Sequence, residues 1–375
     1  MNRLLLTGGE LLDSKAGYKY DKKDILIEDG FIKRIDDDLK DEAVSQEVDL
    51  TGYIISSGFI DIHTHVYYGK TVLGIDPDII GLNNGVTTVF DAGSAGPENF
   101  DDFYEKVISK SDTSVYSLLN IARTGLEKPR YELADLDNID LNEVKEVYFK
   151  NKEYIKGIKA RASASTVGEL GIKPIEMAKK VASELNIPLV VHIGNEPPKI
   201  DDVLSLLGKG DVITHTFHGK PNGILDKSGN IKESFLKARD RGVLFDVGHG
   251  TSSFNFNTAK CTIENGMKPD IISTDIYVDN YKGPVYSLET TVNKMLISGM
   301  NVEECINCVT YAPSHNFKLL NMGMLKEGYI GDLTVFKMAE EEREYTDSEG
   351  NVGRTELIIK TKYIVKNGEI REVFK

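Results

Sequence analysis

The stretch Gly58-Phe59-Ile60-Asp61-Ile62-His63-Thr64-His65 decides how this chain reads. An apolar run ends on two histidines separated by one residue. On a β-strand, residues i and i+2 point to the same face. His63 and His65 therefore project together from the strand's end, spaced to share one metal ion. Imidazole is a favoured ligand for zinc and similar divalent metals. The plain alternative is a pair of partly buried histidines beside a turn, and the two readings separate only on what recurs downstream.

Outward from this stretch, the middle of the chain alternates apolar runs with helical patterns. The strand candidates are Gly58 to His63, Thr87 to Phe90, Val115 to Asn120, Gly157 to Lys159, Leu189 to His192, Val212 to His215, Val243 to Val247 and Ile271 to Asp275. Helical segments lie between most of them. Pro174 to Leu185 sets Ile175, Ala178, Val181, Ala182 and Leu185 on one side, and Glu233 to Arg239 is another. Eight such repeats predict an α/β fold, a (β/α)8 TIM barrel over residues 56–318. The competing architecture is an open doubly wound sheet. No GxGxxG opens a helix after a strand and no P-loop occurs, which weakens a nucleotide-binding reading.

Both ends of the chain read as short strands. Asp24 to Ile27 and Phe31 to Ile35 flank Glu28-Asp29-Gly30, and Asn367-Gly368 leads into Glu369 to Phe374. Residues 1–55 and 319–375 are expected to build one small β-sandwich domain from the two termini. The acidic run Glu340-Glu341-Glu342 and the following Asp347-Ser348-Glu349-Gly350 read as a solvated loop.

Composition narrows the function classes. The chain has 375 residues, 40% hydrophobic and 28% charged, with a formal net charge of -14. That charge argues against nucleic-acid or anionic-membrane partners and leaves small anionic substrates open. Leu4-Leu5-Leu6 is far too short to span a bilayer. Cys261, Cys305 and Cys308 are too few and too odd in number for a disulfide framework. Cys305 and Cys308 read as ordinary thiols one helical turn apart, and a reducing cytoplasm is the expected location.

Polar residues fall at the ends of the apolar runs: Lys159, His192, His215 and Asp275. In a (β/α)8 enzyme, catalytic groups sit at the C-terminal strand ends. HxH on the first strand, Lys on the fourth, His on the fifth and sixth and Asp on the eighth resembles the amidohydrolase superfamily. The phrases Gly58 to His65 and Gly157-Ile158-Lys159-Ala160-Arg161 resemble its dihydroorotase-like branch. So do His192-Ile193-Gly194-Asn195, Thr214 to Gly219 and Asp246 to Gly250, which are similar to the metallohydrolases labelled dihydroorotase-like or deacetylase.

The resemblance implies a pair of divalent metal ions, zinc favoured. His63 and His65 would bind the more buried ion, and His192 and His215 the second. Lys159, carboxylated by CO2 to N6-carboxylysine, would bridge them. Asp275 would touch the first ion and act as general acid/base. An unmodified lysine is a cation at pH 7 and a poor ligand, so Lys159 serves only as a carbamate.

Arg161 lies two residues past Lys159, and its fork suits a substrate carboxylate. An interior salt bridge is the alternative. His218 and His249 are further candidates, either for substrate contact or as partners that support the ligands from behind. Dihydroorotases carry an arginine two residues after HxH, whereas this chain has Tyr67. That argues against pyrimidine-ring opening and leaves Tyr67 as a candidate pocket residue.

The expected function is metal-dependent hydrolysis of an amide or ester bond of a small carboxylate-bearing substrate, with deacetylation included. The alternatives are a purine or heterocycle deaminase of the same superfamily and a non-catalytic scaffold. Barrel enzymes of this type often form homo-oligomers.

Overall fold

The apolar runs of the middle segment pair side by side in chain order. In the computed structural model, which describes residues 2–40 and 42–373, seven parallel strands form one curled sheet: Phe59–Thr64, Val86–Asp91, Ser114–Asn120, Ile155–Ala162, Leu189–Ile193, Val212–Thr214 and Leu244–Phe245. Phe374, the last residue of the final expected strand, lies outside the described residues, as do Met1, Asp41 and Lys375.

The eighth expected strand is a correction. Residues 271–276 close the ring through single parallel bridges, Asp246 with Ile271 on one side and Thr64 with Ile276 on the other. Gly250 N–H donates to Thr274 O at 2.8 Å, and His65 N–H to Ile276 O at 3.0 Å. Asp275 has φ 50°, a left-handed backbone that cannot continue a ladder.

The barrel strands are buried on both faces, as a parallel sheet covered by helices must be. Helix Lys173–Leu185 shows the rule: Ile175, Ala178, Val181 and Ala182 are buried together, and Asn186 at φ 53° ends it. Inside the ring, Ile60, Phe90, Leu118, Val190, Val212 and Ile271 meet in one cluster beneath the strand ends.

The termini interleave. One sheet runs Phe31–Asp36, Asp24–Glu28, Arg3–Thr7, Gln46–Asp49. The other runs Glu369–Glu372, Val352–Lys366, Leu333–Thr346, Ile54–Ser57, Glu10–Asp13, Tyr18–Lys22. Leu4, Leu6, Ile25, Ile55, Leu333 and Val365 share the core of this β-sandwich. Both predicted tight turns form, with φ 49° and 83° at Asp29-Gly30 and 52° and 79° at Asn367-Gly368.

The acidic loop expected at residues 340–350 is instead part of a long hairpin. Glu340, Glu341 and Glu342 lie within strand Leu333–Thr346, which pairs antiparallel with Val352–Lys366. Basic residues across the ladder offset the charge: Lys360 meets Glu341 at 3.1 Å, and Arg354 meets Glu344. Asp347 is buried and builds the tip, accepting from the backbone N–H groups of Glu349 (2.8 Å) and Asn351 (2.9 Å).

Candidate active site

Strand ends bring the expected ligands together at the C-terminal mouth of the barrel. The Nε2 atoms of His63 and His65 and a carboxylate oxygen of Asp275 lie within 4.8 Å of one another. His65 Nε2 is 3.1 Å and His63 Nε2 3.4 Å from Asp275 Oδ1. His215 Nε2 is 4.0 Å from Asp275 Oδ2, and the His192 ring stands edge-on to His215 at 4.3 Å between centroids. Lys159 Nζ is 3.1 Å from His63 Nε2. The first strand shifts register between Asp61 and Thr64, a bulge of the kind that re-aims side chains beside active sites.

The surrounding hydrogen bonds fix how the histidines present themselves. Thr214 Oγ1 donates to Asp246 Oδ2 at 2.6 Å, so it accepts from His63 Nδ1–H at 2.9 Å. His215 Nδ1–H donates to Gly248 O at 2.6 Å. Both rings then turn a bare Nε2 lone pair toward Asp275, and His215 Nε2 is buried with no partner among the described residues. His65 Nδ1 sits 3.0 Å from Ser94 Oγ.

Electrostatics agree with this arrangement. Burial, then the Lys159 charge, holds His63 well below the usual imidazole range. Burial, then His215, does the same for His192, and burial lowers His215 to about 4. Burial pushes Asp275 up, but the His65 hydrogen bond and the charges of His215, His65 and Lys159 outweigh it and hold it below its ordinary value. Neutral imidazoles facing an ionised carboxylate are the donor set a divalent cation requires. The residues present fit such an ion.

Lys159 is buried, which lowers its amine to about 7. Gly93 makes room for it: a Cβ there would meet Lys159 Cγ at 2.8 Å, and its φ is +85°. A cavity of about 480 Å³ at the opposite barrel end, lined by Lys209, Gly242, Cys308 and Tyr311, is remote from this cluster.

The substrate-contact candidates separate. Arg161 donates to Glu132 Oε1 and Pro129 O, each at 3.0 Å, so the interior salt bridge is what the structure contains. Tyr67 is buried against Phe103 and donates its hydroxyl to Asp102 Oδ2 at 2.5 Å. His249 has both ring nitrogens bonded, Nδ1 to Gly250 O and Nε2 to Lys294 Nζ. His218 accepts from Lys220 N–H at Nδ1 (3.1 Å), so its Nε2 carries the proton, buried and without an acceptor among the described residues.

Several site residues were not singled out from the sequence. Asp61 accepts from His63 N–H and Thr274 Oγ1–H; it alternates with His63, and that spacing was a usable signal. Asp91 takes the N–H groups of Val66 and Ser94. Lys220 reaches Ser252 Oγ at 3.5 Å and makes no ion pair among the described residues. Nothing in the local pattern marks Asp91 or Lys220.

The ring of strands, the histidine-carboxylate centre at its mouth and the sandwich built from both termini define the amidohydrolase superfamily. A family described as a deacetylase-like composite domain matches residues 325–370. A deacetylase from Enterococcus faecalis is 44% identical over 302 residues, covering 80% of this chain and 81% of the relative. One from Agrobacterium fabrum is 36% identical over 369 residues, covering 98% and 91%.

Among solved structures, one titled an adenine deaminase is 38% identical with a TM-score of 0.94, covering 99% of this chain and 100% of its own. Another, titled a dihydroorotase, is 35% identical with a TM-score of 0.91, covering 99% and 98%. The chain belongs to the deacetylase-like family of the amidohydrolase superfamily. It is a metal-dependent hydrolase.

Proposed function

We propose that this enzyme hydrolyses an amide or ester bond of a small carboxylate-bearing acyl compound, with acetyl as the acyl group. The observation that carries the reading is the pair of lone pairs that His63 and His215 turn toward Asp275, with His65 in the same cluster and a buried lysine beside it. The relatives named deacetylases point the same way.

In this reading His63, His65 and Asp275 would hold one divalent ion and His192 and His215 a second, with zinc favoured by imidazole ligation. Lys159 would serve as a third ligand type once carbamylated: its neutral amine adds to CO2, an N–C bond forms as one C=O π bond opens to an oxyanion, and the ammonium proton leaves to solvent. Burial favours the neutral amine that this addition needs. Bound ions would lower the pKa of a water and polarise the scissile carbonyl.

The rest falls to the chain's own groups. Asp275 accepts the proton of the attacking water and passes it to the leaving nitrogen or oxygen. His218 offers its Nε2–H to a substrate oxygen. Apart from Lys159, whose charge a carbamate would remove, Arg161 and Lys220 are the lysine and arginine cations whose charge reaches His192. Arg161 is offset by Glu132, and Lys220 is left to attract a substrate carboxylate. The reading includes a cytoplasmic location, in keeping with three unpaired cysteines, and a homo-oligomer, which light scattering checks. No helix among the described residues is long and apolar enough to cross a membrane.

The solved relative titled an adenine deaminase motivates a second reading, deamination of a heterocycle. One experiment separates the two. Protein prepared with bicarbonate is expected to carry about two divalent ions per chain. It should release acetate from N-acetyl amino acids or O-acetyl hydroxy acids. Ammonia from adenine, with about one ion per chain, would establish the deaminase instead. Asp275→Asn should lower turnover by about 10²- to 10⁴-fold, and full activity in that variant would remove Asp275 from its role.

A further inference from the structure

The phrase Asp246-Val247-Gly248-His249-Gly250 is not used up by the proposed chemistry. His249 is fully buried and lies on Phe254, ring centroids 4.9 Å apart. Its Nδ1–H donates to Gly250 O at 2.8 Å, and its Nε2 accepts from Lys294 Nζ at 2.7 Å. A histidine with both nitrogens committed has none left for a substrate.

Lys294 is the less expected partner. It sits on helix Leu288–Ile297 with 0% exposure. Its Nζ donates to Pro284 O and Thr346 O, each at 2.8 Å, as well as to His249. Three acceptors match the three hydrogens of an ammonium. They come from three separate segments: the loop after the eighth barrel segment, the turn after the seventh strand and the long terminal hairpin. Burying a cation is costly, and a packed apolar side chain would stabilise the site as well or better. A lysine here is explained by what it fixes in place.

What it fixes lies against the catalytic carboxylate. A Cβ on Gly250 would meet Asp275 Oδ2 at 2.5 Å, and the residue's φ is +53°. The turn therefore touches Asp275 with bare backbone. Gly250 N–H also donates to Thr274 O at 2.8 Å.

The hairpin tip holds the same turn from outside. Ser348 Oγ donates to Gly250 O at 3.3 Å, and Ser348 N–H to Phe254 O at 3.0 Å. Glu349 Oε2 accepts from Asn255 Nδ2 at 2.8 Å, and Asp347 Oδ2 from Phe256 N–H at 2.9 Å.

We infer that Lys294 is a positioning residue. Together with the tip of the terminal hairpin, it locks the turn 248–250 and through it orients the Asp275 carboxylate. The β-sandwich is then a working part of the active site. The inference rests on Asp275 as the proton acceptor, so its test reads the turn as well as the turnover.

The variants are Lys294→Met and Glu349→Ala. Glu349 is exposed, and its loss spares the buried staple, which keeps the test valid where Lys294→Met fails to fold. In Lys294→Met the amides of Gly250 and Ser348 should lose hydrogen-exchange protection. Its kcat should fall about 10- to 100-fold, the scale seen when supporting partners are lost. KM and metal per chain should stay near wild type. Glu349→Ala should move protection and kcat in the same direction by a smaller factor.

Unchanged protection in both variants overturns the staple. Lost protection with unchanged kcat overturns the positioning role. A wild-type protein that releases no acyl group sinks the proposed reaction, and the exchange result still decides whether Lys294 locks the turn.

Discussion

The role of each histidine in this barrel follows from which ring nitrogen is already taken. Thr214 and Gly248 O occupy Nδ1 of His63 and His215 and leave Nε2 for the centre. Lys294 and Gly250 occupy both nitrogens of His249. His218 keeps one buried N–H unspent. Burial, then the Lys220 charge, lowers His218 to about 3; burial, then the Lys294 charge, does the same for His249. These folded values lie below the unfolded value near 6.5. Each therefore contributes stability that is present above about pH 6.5 and lost as pH falls toward 3. Urea unfolding of metal-free protein between pH 7 and 4 should show a loss of a few kcal/mol. His218→Asn should flatten that slope, and a variant curve parallel to wild type would contradict the assignment.

At the scale of the element, the barrel strands end where regular geometry is broken. His215 and Asp275 take φ values of 71° and 50°. Backbone in this region costs about 1–3 kcal/mol per residue and concentrates at functional sites. The first strand bulges between Asp61 and Thr64, so the period-2 spacing that marked His63 and His65 also needed a local irregularity to aim them. Gly93 is the matching device on the second strand's exit. Gly93→Ala is expected to cost about 1–3 kcal/mol through its positive φ and to displace Lys159. Thermal unfolding should register the first effect and lower metal content per chain the second.

At the scale of the molecule, barrel and sandwich are joined by buried polar contacts as well as by apolar packing. Lys366, at the end of a terminal strand, donates to Asp332 Oδ2 and to Ser114 Oγ of the third barrel strand, each at 2.6 Å. Both members of the ion pair are nearly inaccessible, at 6% and 5% side-chain exposure. Removing one partner strands the other without water. Lys366→Met should therefore lower stability by about 3–5 kcal/mol, measured by urea denaturation at pH 7. A loss below about 1 kcal/mol, the scale of exposed pairs, would show that water reaches this contact.

The sequence by itself determined what depends on local pattern. Repeated apolar runs specify the barrel, and two turn dipeptides, Asp29-Gly30 and Asn367-Gly368, specify hairpins because only such residues take left-handed φ readily. The ligand-type residues His63, His65, Lys159, His192, His215 and Asp275 were legible because a barrel places its strand ends at one mouth. Tertiary structure decided the rest. Glu132 claims Arg161 and Asp102 claims Tyr67, pairings made by residues about 30 positions away. The acidic segment became a strand because Arg354 and Lys360 face it across the hairpin. Lys294 meets His249 from 45 positions away, and the terminal hairpin adds Thr346 O to the same amine. Charge pairing and burial are properties of the assembled fold, and a local window of sequence contains neither.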